Sequence, residues 1–277
     1  MFKVLLGFFY FGVVSGFLYK NPYCELSCDA GNGRLHQHTV CQRANYKCLP
    51  DASCGPDFKI VKLTDAQRQL ILNVHNKFRC KVALGKETRG KQPAAKNMRI
   101  MSYDRELEFI AQCWANACNG ASLIHDACRR TRKHEHVGQN LGYISSSANN
   151  INVTEATLQL IDYWYDEVAI FNNQWVLDTR DRGFKVGHYT QMVWADTHRL
   201  GCAAIQYTTK QFDGNKWYEF LLVCNYAPGG NYIGMPVYKP GPSGSACPDK
   251  LKQNICGLCG RFVNVTEQEY FQPFFKF

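Results

Sequence analysis

The sequence predicts an α+β fold in an exported, disulfide-rich protein. Three amphipathic helical patterns precede two strand-like segments near residues 201–226, and cysteines are unusually frequent. The chain has 277 residues, 14 cysteines and a net charge of +9, with 45% hydrophobic and 20% charged residues. Such a composition is that of a globular protein, large enough for one large domain or two small ones.

The first 16 residues have the layout of a signal peptide. Lys3 precedes an apolar run from Val4 to Val14, and the small residues Ser15 and Gly16 follow it. The run is too short to remain as a membrane span, and no later segment is long and apolar enough to cross a bilayer. We therefore expect a secreted, extracellular protein without a membrane span.

Oxidising conditions outside the cell favour disulfides over reactive thiols, so the even cysteine count predicts a disulfide framework. Two acceptor triplets, beginning at Asn152 and Asn264, predict N-glycosylation. The densest basic run, Arg129 to Lys133, has no interleaved aromatic residues. We interpret it as a solvated loop rather than a nucleic-acid surface.

Residues 17–62 are expected to form a cysteine-rich N-terminal extension. The stretch from Asn21 to Phe58 contains five cysteines among Gly, Asn, Pro and Asp and shows little periodicity. A segment of this kind buries too little apolar area to fold alone, so it must be fastened internally or onto a larger body.

The helices are predicted from their capping signals and apolar spacing. Thr64-Asp65-Ala66-Gln67 has the pattern of a capping box and opens a helix of about five turns. His75 shares its apolar face, which favours a core histidine with both nitrogens satisfied. A second helix is expected from about Asp104. A third, from near Thr154 to Phe171, places Glu167 in a row with aromatic residues, where a carboxylate is costly unless hydrogen-bonded.

The stretch Gly187 to Trp194 reads as a loop histidine, His188, followed by a strand-like segment. Two further strands are expected at Gly201–Thr208 and Trp217–Tyr226, where Cys202 and Cys224 could be bridged across a hairpin. Residues 239–277 form a C-terminal tail with three cysteines and an aromatic end. Its Cys256-Gly257-Leu258-Cys259 has metal or redox spacing, but disulfide pairing is the better interpretation.

Four separated motifs make the chain resemble the CAP superfamily, which contains cysteine-rich secretory proteins, antigen-five venom allergens and plant pathogenesis-related proteins. The resemblance covers about residues 63–238. The matching stretches are Gly187 to Trp194, Leu222 to Tyr232, His75-Asn76-Lys77-Phe78-Arg79 and Gly138-Gln139-Asn140-Leu141. The N-terminal cysteine block, with residues 86–90 and 93–98, is similar to the antigen-five type of arthropod venom and saliva.

The resemblance implies a three-layer α-β-α sandwich with a central cleft, preceded by the disulfide-rich extension. It also implies four disulfides: Cys24–Cys41, Cys28–Cys128, Cys54–Cys118 and Cys202–Cys224. Six cysteines then remain without an implied partner. Cys80 and Cys113, on the first two helices, are one candidate pair. The pairing of these two and of Cys48, Cys247, Cys256 and Cys259 is left open.

In the family the cleft is lined by two histidines and two acidic residues that can bind a divalent cation. His125, Glu167 and His188 match three of these positions, while the second acid is replaced by Gln139. A neutral amide cannot act as a general base or supply charge to a metal. The resemblance therefore implies a weak site for Zn or Cu, with His134 and His136 as possible extra ligands.

The function that these features favour is that of a non-enzymatic extracellular binding or effector protein with a venom, saliva or defence role. The resemblance implies a small apolar ligand, such as a lipid, sterol or fatty acid, or a host-protein target. We expect a monomer. The alternative is a metal-dependent hydrolase or redox enzyme using His125, Glu167 and His188. A serine protease is the least favoured, because no nucleophile motif accompanies these histidines.

Overall fold

The computed structural model describes residues 21–29, 33–43, 48–179, 184–210, 214–248, 251–252 and 256–267. The expected signal peptide and the aromatic end of the tail lie outside these ranges. The helices and strands of the described chain are β1 (Ser27–Asp29), β2 (Leu35–Gln37), α1 (Thr39–Gln42), β3 (Lys59–Val61), α2 (Asp65–Ala83), β4 (Ser102–Tyr103), α3 (Arg105–Ala115), β5 (Gly138–Ser146), α4 (Val153–Asp166), α5 (Gly187–Met192), β6 (Arg199–Lys210) and β7 (Lys216–Ala227).

The three long helices begin close to their predicted starts, and a side chain caps each of them. Thr64 caps α2 in a reciprocal capping box, because its side chain accepts from the Gln67 N–H while the Gln67 side chain accepts from the Thr64 N–H. The carboxylate of Asp104 caps α3, and the side chain of Asn152 caps α4. The expected helix of about five turns is therefore α2.

The central sheet is built around the hairpin of β6 and β7. Its strand order is β3-β6-β7-β5, and β4 adds a short parallel pairing to β6. All other pairs in this sheet are antiparallel. The register sets Cys202 opposite Cys224 and Gln139 opposite Asn225. The end of the N-terminal extension joins this sheet, because β3 (Lys59–Val61) pairs with β6.

Helices cover both faces of this sheet. On one face, α3 packs against the small and aliphatic residues of β6 and β7, including Ala203 and Val223. On the other, α2, α4 and α5 form the larger core with the alternate residues Ala204 and Leu222. A Cβ at Gly201 would lie 2.3 Å from the main-chain nitrogen of Glu108, so only glycine lets α3 approach β6 so closely. The fold is the expected three-layer α-β-α sandwich.

Two parts of the sequence differ from expectation. The stretch after Gly187 forms the short helix α5 rather than a strand, so the prediction of a strand behind His188 is wrong. The basic run is not simply a solvated loop, because the half-buried Arg129 binds the main-chain oxygen of Asp126 and Arg130 donates to the oxygen of Ser27 at 3.0 Å. These contacts tie the run into the fold.

The structure contains six disulfides, and three of them, Cys28–Cys128, Cys48–Cys113 and Cys54–Cys118, fasten the extension to the sandwich. The structure contains the four pairs that the resemblance implies, Cys24–Cys41, Cys28–Cys128, Cys54–Cys118 and Cys202–Cys224. It adds Cys48–Cys113 and Cys247–Cys259. The candidate Cys80–Cys113 pair is not formed, because the extension lies over α3 and brings Cys48 onto Cys113.

Among the described residues, none of the helices has the length and apolar character needed to cross a lipid bilayer. The two expected glycosylation positions are both exposed. The Oδ1 atom of Asn152 accepts the N–H groups of Thr154 and Glu155, which leaves its amide nitrogen, the atom that carries an N-glycan, outside the cap. Glycosylation at Asn152 and Asn264 stays a prediction.

Candidate functional site

His188 and Glu167 meet at the end of helix α4. Glu167 caps the C-terminus of α4, and His188 is the second residue of α5. The Nδ1 atom of His188 lies 2.7 Å from Oε1 of Glu167, and Oε2 of the same carboxylate accepts the main-chain N–H of Tyr189 at 2.9 Å. Both oxygens of the carboxylate are thus hydrogen-bonded. These bonds offset the desolvation cost of burying a carboxylate beside Trp164.

The ring of His188 also stacks on Trp164, with centroids 5.9 Å apart and planes inclined by 18°. Trp164 is in turn held by its indole N–H, which donates to the oxygen of Leu141 at 3.1 Å. Because Nδ1 of His188 must donate to the carboxylate, the atom left for a ligand is Nε2. The sequence offers no local signal for Tyr189 as a partner of Glu167, since the two are 22 residues apart.

His125 is bound to Gln139 instead of to an acid. Its Nδ1 atom lies 3.0 Å from Oε1 of Gln139, which also accepts the N–H of Asp126 at 3.0 Å. The Gln139 amide nitrogen donates to Oδ1 of Asn225, its register partner on β7, at 3.1 Å. This network fixes the amide oxygen toward His125, so Nδ1 of that ring donates and Nε2 is again the available atom.

The surroundings of His125 favour its neutral form. Desolvation lowers the pKa of His125, the hydrogen bond to Gln139 opposes that shift, and the neighbouring Arg129 and His188 add to it. His125 is therefore held neutral near physiological pH, the form in which an imidazole can bind a metal.

The structure brings the expected residues together only in part. His188 contacts Glu167, and His125 contacts Gln139. Within the described ranges, no group of three or more His, Cys, Asp or Glu side chains is arranged so that it could hold a metal ion. Nε2 of His136 lies 3.2 Å from the oxygen of Gly230, and the ring of His134 lies edge-on to His198.

Behind this site, His75 has the role predicted for it. It is fully buried, with Nδ1 2.8 Å from the oxygen of Ile71 and Nε2 2.9 Å from the hydroxyl of Tyr226. The Asn140 amide donates both to that hydroxyl and to the main-chain oxygen of His188, each at 3.2 Å. His75 is thus a core residue with both nitrogens satisfied, linked through two partners to the backbone that carries His188.

A separate cavity lies beside Trp194, where the chain leaves α5. It has a volume of about 530 Å³ and an opening where Tyr232 and Met235 are 46% and 54% exposed. Its lining includes the large apolar side chains Trp194, Tyr232, Met235, Pro236 and Tyr238, with Ala246 and Pro248 of the tail at one wall. No periodic pattern in the sequence predicts this cavity, because its residues come from separate loops.

This sandwich has a paired histidine and glutamate at the end of α4, one motif in α5 and another that runs from β7 into the following turn. Together these features define a class of secreted-type sandwich proteins. The family model described as "Cysteine-rich secretory protein family" (CAP) matches residues 72–226, and the chain belongs to that family. Its relatives narrow the class further. It is 42% identical over 222 residues to venom allergen 5 of Polistes dominula, covering 79% of this chain and 89% of that protein.

Another venom allergen relative and two solved structures are also similar to this chain. A venom allergen 3 homolog of Dinoponera quadriceps is 40% identical over 233 residues, covering 82% of this chain and 93% of the relative. The solved structure described as "Crystal structure of NaASP2 with Zn2+" is 31% identical, with a TM-score of 0.56, covering 72% of this chain and 97% of that one. The structure of BmVAL-1 is 27% identical, with a TM-score of 0.58, covering 73% and 97%.

Proposed function

We propose that this protein is secreted and acts outside the cell as a non-enzymatic binding protein for a small apolar ligand, in a venom, saliva or defence role. The observation that carries the proposal is the cavity bounded by Trp194, Tyr232, Met235, Pro236 and Tyr238. The venom allergens among its relatives and its six disulfides support an extracellular site of action.

The size and lining of the cavity suit a small ligand. Pockets for small molecules commonly enclose about 300–1,000 Å³ and combine apolar walls with a few polar groups. The cavity of about 530 Å³ falls in this range, and its polar lining residues are few: Asn97, Asp196 and Lys239. Aromatic walls with a cation and a carboxylate near them favour an elongated apolar molecule with a polar head, such as a fatty acid or a sterol.

Hydrogen bonds of the protein itself hold the cavity walls in place without a ligand. The side chain of Asn97 accepts the N–H of Lys239 at 2.8 Å, and the N–H of Ala195 donates to the oxygen of Val237 at 2.8 Å. A Cβ at Gly230 would lie 2.6 Å from the Trp194 ring, so glycine there lets the following turn close onto the indole. Pre-formed walls reduce the ordering cost of binding.

We also propose a weak divalent-cation site, for Zn or Cu, at His125 and His188 with Glu167 as the group that orients His188. Imidazole nitrogens suit zinc and copper, and Nε2 is the atom that each ring has left for a cation. A bound cation would supply Lewis acidity in the cleft. The related protein whose solved structure is described as being with Zn²⁺ supports the proposal.

The hydrolase alternative is disfavoured by what surrounds the histidines. Both oxygens of Glu167 are engaged by His188 and Tyr189, and Gln139 offers a neutral amide where a second carboxylate would stand. Neither side chain is placed to take a proton from water. Sustained turnover of an ester or peptide that disappears in His188→Ala would overturn this part of the proposal.

The cavity is tested with a fatty acid and a sterol added to the full secreted chain, read out by native mass spectrometry. We expect uptake of one molecule, reduced at least tenfold in Met235→Glu, which places a charge at the cavity mouth. The matched control is Ile233→Glu, because Ile233 is 79% exposed two residues away and does not line the cavity.

Two results would contradict the ligand proposal. One is a wild-type protein that takes up neither compound; a host-protein target, recognised by the exposed apolar side chains around Ile233, would then be the better interpretation. The other is equal loss of uptake in Met235→Glu and Ile233→Glu, which would place the ligand elsewhere.

A further inference from the structure

Two cysteines outside the six disulfides meet each other in the fold. Cys80 lies in the last turn of α2 and Cys256 lies in the C-terminal tail, 176 residues further along the chain. Both are half-buried thiols in the structure, and they are hydrogen-bonded to each other. Each also packs against the larger core of the sandwich.

The backbone on the tail side is held in place independently of the two thiols. The N–H of Cys259 donates to the oxygen of Met98 at 2.8 Å, and the N–H of Ile100 donates to the oxygen of Cys259 at 3.0 Å. Cys259 is also bonded to Cys247. The main-chain bonds around Cys259 therefore hold Cys256 close to Cys80.

The tail also lies directly against the end of α2. Gly257 has a φ of 73°, and a Cβ built there would lie 3.2 Å from Cδ2 of Leu84, the residue that caps α2. This left-handed residue turns the chain at the point where it passes the helix. Its position next to Cys256 keeps that thiol over the last turn of α2.

We propose that Cys80 and Cys256 are oxidised in the exported protein to a seventh disulfide, which fastens the C-terminal tail to helix α2. The oxidant is a disulfide of the secretory compartment, either a small-molecule disulfide or that of a disulfide-exchange enzyme. One cysteine thiolate attacks the oxidant, forms a mixed disulfide and releases one thiol. The other cysteine thiolate attacks the mixed disulfide, forms the Cys80–Cys256 bond and releases the second thiol. Two electrons and two protons pass to the oxidant.

The surroundings make this reaction slow once the tail has docked. Burial raises the pKa of Cys80 to about 12, the hydrogen bond to Cys256 adds to that effect, and the charge of Lys86 opposes it. Because the thiolate is the attacking species, little of Cys80 is reactive at neutral pH. The bond is therefore expected to form during folding in an oxidising compartment and to form poorly when the folded, reduced pair is exposed to oxidant later.

The proposed bond would also fix one wall of the cavity beside Trp194. Ala246 and Pro248 of the tail line one wall of that cavity, on either side of Cys247. The Cys247–Cys259 bond joins two residues 12 positions apart and closes a small loop within the tail itself. A Cys80–Cys256 bond would connect that loop covalently to the sandwich and so fix the wall against α2.

The test is a disulfide map of the full chain secreted from an oxidising host. The protein is denatured without reduction, its thiols are alkylated, and it is digested with trypsin. Trypsin cleaves after Arg79 and Lys81, so the proposed bond leaves a Cys80–Lys81 dipeptide attached to the tail peptides. Fragmentation between Gly257 and Leu258 then assigns the dipeptide to Cys256 rather than to Cys259.

We expect the linked species, lighter by two hydrogen atoms than the two thiols, and no alkyl label on either residue. In Cys80→Ser, Cys256 should take the label while the Cys247–Cys259 pair is unchanged, and limited proteolysis should release the tail faster than in wild type. Alkylation of both residues in the wild-type protein, or a bond from either one to another cysteine, would overturn the proposal. The wild-type map decides the matter even where a variant fails to fold.

Discussion

The Nδ1 atom of His188 lies 2.7 Å from Oε1 of Glu167, and the other oxygen of that carboxylate accepts the N–H of Tyr189. One carboxylate therefore fixes both the ring and the main chain of the first turn of α5. A histidine whose second nitrogen is held by a carboxylate keeps its orientation toward a metal and gains basicity. The role of Glu167 is to orient His188.

Glu167→Gln is therefore expected to weaken zinc binding by about 10–100-fold, because its amide nitrogen must face either Nδ1–H of His188 or the N–H of Tyr189, both of which are donors. Isothermal titration of the secreted protein with zinc chloride measures the change. His198→Ala is the matched control, since that ring lies near His134 and binds the main-chain oxygen of Asp196. Unchanged affinity in Glu167→Gln, or no zinc binding by the wild type, would contradict the cation proposal.

Gln139 places a neutral amide beside His125, so the cleft has one negative charge fewer than it would with a glutamate there. Gln139→Glu is expected to raise zinc affinity, because it adds a carboxylate beside His125. It should also lower the free energy of unfolding by about 1–3 kcal/mol, because Oδ1 of Asn225 loses its donor and faces an oxygen instead.

The two effects are separable by measuring zinc affinity by titration and stability by urea denaturation without metal. The control is Gln206→Glu, a half-buried glutamine on β6 whose amide donates to the oxygen of Ile151 at a longer 3.4 Å. Wild-type zinc affinity in Gln139→Glu would contradict the expected effect of a carboxylate at this position.

Much of the fold follows from local signals. The capping box at Thr64 marks a helix start that the structure retains, because a cap is decided within one turn of chain, and the apolar spacing predicts the approximate starts of the other two long helices. The hairpin of β6 and β7 follows from the two strand-like segments predicted at Gly201–Thr208 and Trp217–Tyr226. The sandwich itself could be expected only through the resemblance to the family.

Other features depend on contacts that spacing along the chain does not encode. The segment after Gly187 is helical because Glu167 binds its first turn from 22 residues away, whereas its short apolar pair is equally compatible with a strand. Cys113 pairs with Cys48 because the extension folds over α3. The orientation of Gln139 depends on Asn225, which the sheet register places opposite it.

Arg79, in one of the four family motifs, is expected to be essential for stability. Its fully buried guanidinium makes six hydrogen bonds to five main-chain oxygens, those of Arg99, Met192, Trp194, Ala195 and Thr197. Lysine has only three donors, so Arg79→Lys leaves buried carbonyl groups unsatisfied. We expect a loss of about 3–5 kcal/mol in the free energy of unfolding.

Urea denaturation measures this loss, with Arg105→Lys as the control. Arg105 pairs with the exposed Asp65 at the surface, where such a pair contributes about 1 kcal/mol or less. Because Arg79 also holds the segment that carries Trp194, any folded Arg79→Lys protein should bind the cavity ligand more weakly. Equal destabilisation in the two variants would contradict the role assigned to Arg79.

Glu87 is expected to make stability depend on acid pH. Its side chain is fully buried; burial disfavours its ionisation, but hydrogen bonds from Arg89, Lys81 and Tyr165 outweigh that effect and hold its pKa at about 2. Since the ordinary pKa is 4.5, the folded state binds fewer protons than the unfolded state between these values. The contribution is therefore complete above about pH 4.5 and is lost as the pH falls toward about 2, by up to about 3 kcal/mol.

Urea denaturation between pH 2 and 6 measures this window for wild type and Glu87→Gln. The wild type should be the more stable protein above pH 4.5, and the difference should shrink steadily as the pH falls, because the amide does not titrate. The control is Glu155→Gln, an exposed residue in the first turn of α4, which should track the wild type closely. A constant difference between wild type and Glu87→Gln across the whole range would show that the carboxyl of Glu87 stabilises the fold by packing and not by its charge.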